Sequence, residues 1–371
     1  MDPHGPTAQR FPLVARFRPS CLPLPERVAT LTELSRRAQR EADQGLASAV
    51  FNQAALITSD LGLPDPARTM CLRHAAAYLH ACPLPGMTAI RALEPVVNLA
   101  RLHIRAGQGD HGRQHLLTLY EAVSSSTATD VEGVTIPAHL TPTAEDRQEV
   151  RAWLWRVVLA DGTRTLTTAG RWAEALAHIT AHRGLGNHML DGRQVAIVAA
   201  LVSGDVAAAE ALLAATTPGA PWEQAVTHCL SVLCQQALDR TADEPLATLI
   251  EGYVRRAAEP GLTVFDIRLG LVILDATYAA HDRSARQVSD RLHHRTVIAT
   301  DGYAARECLA HPRFRTLATE QQIRDCTDLL QRCALGFGVL PDDLGTELIR
   351  ALATSESVIR ASVTPLPGLN R

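Results

Sequence analysis

The chain has 371 residues, of which 46% are hydrophobic and only 4% aromatic. That length exceeds one ordinary compact core, the apolar share excludes a disordered chain, and the scarcity of aromatics argues for packed Ala/Leu/Val helices over a β-sandwich or barrel. A net charge of −3 excludes a chain-wide phosphate-binding surface, so no nucleic-acid partner is expected.

Residues 1–25 carry Pro3, Pro6, Pro12, Pro19, Pro23 and Pro25, which reads as an extended Pro-rich arm. It has no apolar core of a secretory signal. From Val28, Leu31, Leu34 and Ala38 onward the apolar spacing is helical. A helix over 45–61 follows, then a break at Leu63-Pro64-Asp65-Pro66 and a helix to about Cys82. Pro83–Gly86 breaks the chain again before a helix that reaches about Ala106 despite Pro95. The turn Ala106–Asp110 leads into a helix over 111–123. The polar stretch 124–143 is a loop insert in which Val131 to Ile136 can form a small strand or hairpin.

Beyond it, Gly-containing turns recur at Gly170 and Gly204, 34 residues apart, and again near Asp239–Glu244 and Ala280–Arg283. Self-similarity at this period predicts an all-α solenoid of stacked antiparallel helix pairs. The body spans 26–300, a helical capping region 301–355, and a tail 356–371 that ends in Thr364-Pro365-Leu366-Pro367-Gly368. Asp342-Asp343 after Pro341 reads as a helix start.

The segments AGRWAEALAHITAH (169–182) and SGDVAAAEALLAAT (203–216) resemble tetratricopeptide repeats. FNQAALITSDLGLPDPARTMC (51–71) and RLHIRAGQGD (101–110) resemble the helical sensor regions attached to actinobacterial helix-turn-helix regulators. The resemblance covers about 45–300 and implies a right-handed α-solenoid. No helix-turn-helix unit precedes the repeats, so the likeness implies a stand-alone sensor or scaffold.

Candidate chemistry is sparse, and no catalytic residue is assigned. His178 and His182 share a helical face, with His188 just beyond; His111 and His115 have the same four-residue spacing. Both sets read as solvated helix-end histidines, and no metal or cofactor is expected. The eight cysteines form no CxxC and read as buried thiols in a reducing, cytoplasmic setting. Trp153 and Trp155, with Arg151 beside them, and His182, Arg183 and Arg193 from the Gly-rich segment after the next helix, are the candidate ligand-binding residues. The expected function is a non-catalytic scaffold or regulator that takes a peptide or protein on its concave face, and no membrane partner is expected. The alternative is a small-molecule sensor or an enzyme with a pocket between repeats.

Overall fold

The computed structural model describes residues 1–240, 242–277 and 282–363 and is all-helical apart from one β-hairpin. The turn expected at 280–283 falls partly outside the described residues, as do Thr241 and the Pro/Gly end of the tail. Among the described residues no helix is long and apolar enough to cross a membrane. The chain divides into two compact units, each built from two stretches of sequence.

One unit comprises 24–162 and the segment from Ala334 onward. Its helices are Leu24–Glu41, Gln44–Asp60, Pro64–Leu79, Gly86–Arg105, Gly109–Ser125 and Ala144–Val157, the last continuing into a π-helical turn, Val158–Gly162. Helix Asp342–Val363 returns from the far end of the sequence to pack on the first two. It does so because Leu348, Ala351, Leu352, Ser355 and Ile359 lie at three- and four-residue steps, one buried face. Starts follow sequence signals. The Asp43 side chain accepts from the Gly45 and Leu46 amides, and Thr143 accepts from the Asp146 amide. Val28, Leu31, Phe51, Tyr78, Leu93 and Leu154 anchor the shared core.

The other unit comprises 1–23 and 163–333. Its helices include Thr163–Thr168, Trp172–Ala181, Asp191–Ser203, Val206–Ala214, Pro221–Ala237, Asp243–Arg255, Thr263–Ala276, Asp282–Ile298, Gly302–Ala310 and Glu320–Arg332. Gly170 and Gly204, the repeat glycines, take φ of 72° and 82°, the left-handed conformation that ends a helix at little cost to glycine. The Pro-rich arm is part of this unit's interior: Phe11 and Leu13 are buried, and Pro6–Arg10 is a short helix. A chain with few amide donors must still satisfy its backbone when buried. Here the Leu13 amide donates to Gln194 Oε1 at 2.6 Å, and Gln194 Nε2 donates back to the Leu13 carbonyl at 2.7 Å. One side-chain amide thus does the work of a neighbouring strand.

The expected capping region divides between the units, 301–333 in one and 334–355 in the other. Residues 356–363 of the expected tail are the last turns of helix Asp342–Val363. Seven of the eight cysteines are buried and all are free thiols; burial pushes Cys71 and Cys229 up to about 12, which leaves them unreactive.

Candidate metal centre

The six candidate ligand residues are divided between the two units. Trp153, Trp155 and Arg151 belong to one unit; His182, Arg183 and Arg193 belong to the other. Trp153 is half-buried and packs on the core of its unit, and Arg151 is exposed. Arg193 is buried and structural: its Nη2 donates to the Leu212 carbonyl at 2.7 Å and its Nε to Thr216 Oγ1 at 3.2 Å, which closes the end of helix Val206–Ala214. Arg183 is exposed at φ 53° in the loop that follows helix Trp172–Ala181. The His182 ring lies tilted against His178 with centroids 4.5 Å apart, and its Nδ1 donates to the His178 carbonyl. His188 lies instead near Glu223, at 3.7 Å. The first histidine set is therefore occupied with helix-end contacts.

The second set is different. Helices Gly86–Arg105 and Gly109–Ser125 are joined by a turn in which Gly107 takes φ 81°. They approach closely because residue 112 is glycine: a Cβ there would lie 2.5 Å from the Ala100 carbonyl oxygen and 2.7 Å from Ile104 Cγ1. This crossing sets His103, in the last turn of the first helix, against His111 and His115 of the second. Ring centroids lie 4.3 Å apart for His103–His111 and for His111–His115, and 5.4 Å for His103–His115.

The expected hairpin supplies an acid. Strands Thr129–Val131 and Val134–Ile136 pair antiparallel with Val131 opposite Val134, leaving Glu132-Gly133 as a two-residue turn. Both turn residues have positive φ, 58° and 79°, the type I′ pattern that favours Asn-Gly. Val131, Val134 and Ile136 bury themselves in the core and so fix the register. Glu132 is then held from several sides. Its Oε1 lies 3.0 Å from His103 Nε2 and 3.6 Å from His115 Nδ1. Its Oε2 lies 3.4 Å from Arg68 Nε, and its carbonyl accepts from Arg68 Nη2 at 2.9 Å.

Polar detail around the cluster follows the pattern of ligands oriented from behind. His103 Nδ1 donates to Gln108 Oε1 at 2.6 Å, which turns Nε2 toward Glu132. His115 Nδ1 is shielded from water and has no hydrogen-bond partner. Burial, then the neighbouring His111 ring, pushes His115 below the usual imidazole value, against the pull of Glu132; its neutral, lone-pair form is favoured. Partial burial works against charge on Glu132, but the His103 hydrogen bond together with His115 and Arg68 outweighs it, so the carboxyl sits below its usual range.

No protein-family model, curated protein or solved structure matches this chain. The chemistry therefore rests on these side chains. Among the described residues, His103, His115 and Glu132 are the group whose ligand atoms all lie within 4.8 Å of one another. Two imidazole nitrogens and a carboxylate oxygen suit a late first-row divalent ion.

Sequence reading identified the His111/His115 face but assigned it no metal, and it passed over His103, Gln108 and Glu132. One signal was available. Val-Glu-Gly-Val at 131–134 places a glutamate where a type I′ turn favours asparagine. A residue kept in a left-handed conformation against its preference marks a side chain needed at that spot.

The close crossing gives a first prediction. Gly112→Ala forces Ala100 and Ile104 aside and separates the rings. Zinc affinity is expected to fall by at least about tenfold, as it does when the groups that orient metal ligands are disturbed. Titration calorimetry with an unchanged affinity would show that the crossing does not set the site.

Proposed function

We propose that this chain is a non-catalytic helical protein that binds one divalent ion of the zinc class through His103, His115 and Glu132, and that the ion fastens the hairpin to the helix pair beneath it. The observation that carries this reading is His115 Nδ1, buried without a partner and 3.6 Å from the carboxylate oxygen that His103 also addresses at 3.0 Å. An orphaned imidazole nitrogen beside a carboxylate costs free energy in the protein alone and becomes favourable once an ion sits between them. The rest of the proposal is a scaffold or regulatory role with a peptide or protein partner on helix pairs of tetratricopeptide-like kind. The short turns closed by left-handed Gly170 and Gly204 support it, because short connections make consecutive helices antiparallel neighbours.

The test is metal analysis of the full chain, stripped with a chelator, reloaded with zinc and desalted. The expected result is one zinc ion per chain, with affinity lowered by at least about tenfold in Glu132→Ala and in His115→Ala. Magnesium and calcium, which prefer all-oxygen shells, are expected not to compete. Zinc uptake identical in the parent and both variants would assign the metal elsewhere and sink the proposal.

A further inference from the structure

We infer that His111 is the fourth ligand, which closes the coordination sphere into a tetrahedral three-nitrogen, one-oxygen centre with no position left for a substrate. The inference rests on the metal reading above and decides the role of the ion: a closed site holds structure, whereas a three-ligand site keeps a water and can act on a substrate.

The spacing of the donors comes first. Bonds of 2.0–2.1 Å in a tetrahedron put neighbouring donor atoms about 3.3–3.4 Å apart. The two separations to Glu132 Oε1, 3.0 Å from His103 Nε2 and 3.6 Å from His115 Nδ1, straddle that value. The ligand atoms of all three residues lie within 4.8 Å of one another, so the two imidazoles can close with the carboxylate on one ion.

Placement of the remaining groups comes second. Gln108 stands behind His103, Arg68 takes the other oxygen of Glu132, and Gly112 forms the crossing. His111 is left. It lies four residues from His115 on the same helical face, with its ring 4.3 Å from the rings of both His103 and His115.

Uncommitted chemistry comes third. His111 makes no hydrogen bond or ion pair with any described residue, whereas His103 is fixed by Gln108 and Glu132. It stands outside the group whose ligand atoms lie within 4.8 Å of one another, so coordination requires its exposed ring to turn toward the ion. The ordinary explanation for a surface histidine also fails here. A cationic imidazole is favoured at a helix C-terminus, which fits His103, but His111 is in the first turn of its helix, at the positive end of the dipole. Three imidazoles this close repel one another when protonated, and a shared cation turns their proximity into coordination.

The experiment is loading of the chelator-stripped full chain with cobalt(II) chloride, in the parent, His111→Ala and Glu132→Ala. Tetrahedral cobalt(II) absorbs strongly in the visible, and five- or six-coordinate cobalt(II) only weakly. The expected result is a strong visible band in the parent and a weak one in His111→Ala, with zinc affinity weakened at least about tenfold. His111 is exposed, so an unchanged melting temperature of the metal-free variant will show that the fold is intact. A parent and a His111→Ala protein with the same band and the same affinity, while Glu132→Ala loses both, would overturn the fourth ligand and leave an open three-ligand site. No cobalt or zinc uptake in the parent would instead remove the metal reading itself.

Discussion

Arg295→Met is expected to destabilise the unit formed by 1–23 and 163–333 by about 3–5 kcal/mol, the usual cost of removing one partner from a buried ion pair. Arg295 and Asp266 are almost fully enclosed, with side-chain exposures of 3% and 2%, and Nη1 donates to Oδ2 at 2.6 Å. The same guanidinium donates from Nη2 to the carbonyls of Arg256 at 2.7 Å and Tyr253 at 3.3 Å, at the C-terminal end of helix Asp243–Arg255. One side chain thus neutralises a buried acid and donates to two helix-end carbonyls, of which that of Arg256 also accepts from Arg291 Nη2 at 2.9 Å. Methionine fills much of the volume and does neither. Arg256, whose Nε donates to Asp266 Oδ1 at 3.0 Å, remains but is shared with Glu259. Burial already pushes Asp266 above the usual carboxylate range, and the charges of Arg295 and Arg256 work to hold it down. The deficit of Arg295→Met should therefore shrink as pH falls and a proton neutralises the stranded carboxylate. The double variant Arg295→Met/Asp266→Asn should recover part of it at neutral pH, because the uncompensated charge is gone. Urea unfolding of the four proteins of this cycle is the measurement. A loss under about 1 kcal/mol for the single variant would mean that the pair is not enclosed as described.

Local features were legible and long-range meetings were not. Helix faces such as Val28, Leu31 and Ala38, the left-handed glycines at 170 and 204, and the hairpin near 131–136 all follow from short-range periodicity and turn chemistry. The pairing of Leu13 with Gln194 spans 181 residues, and no pattern in either segment announces it. The return of helix Asp342–Val363 to helix Leu24–Glu41 is invisible for the same reason, although its apolar face is plain. At the site the limit is sharper. His178/His182 and His111/His115 have identical spacing, so helical geometry alone cannot rank them. What distinguishes the second pair is a third histidine brought across at Gly112 and a glutamate delivered by a turn, 29 residues from His103. The candidate ligand residues at 151–155 and at 182–193 lie on either side of Gly162, where the chain passes from one unit to the other.

The second large effect concerns acid. His74 is buried on helix Pro64–Leu79, its ring stacked on Phe51 with centroids 4.9 Å apart and planes within 14°. Its Nε2 lies 3.2 Å from Ser48 Oγ, Ser48 Oγ lies 2.6 Å from the Tyr78 hydroxyl, and that hydroxyl donates to the Gln44 carbonyl at 3.2 Å. The carbonyl can only accept, so the chain has one direction: Nε2–H to Ser48, Ser48 to Tyr78, Tyr78 to Gln44. That direction needs only an Nε2–H; what keeps the imidazole neutral is burial, which pushes its value down to about 3 from 6.5. The unfolded chain takes up a proton near pH 6.5 that the folded chain refuses until about pH 3. Stability from this group is thus complete above pH 6.5 and falls with acid by about 1.4 kcal/mol per pH unit. The loss is about 2 kcal/mol at pH 5 and on the order of 5 kcal/mol near pH 3. His74→Phe keeps the stack and His74→Gln keeps the donor to Ser48, and neither can titrate. Both should unfold with a flatter pH dependence than the parent between pH 7 and pH 5, whatever their stability at pH 7. Denaturation curves that shift in parallel for all three proteins over that interval would show that His74 takes up its proton in the folded state and that the buried relay does not exclude it.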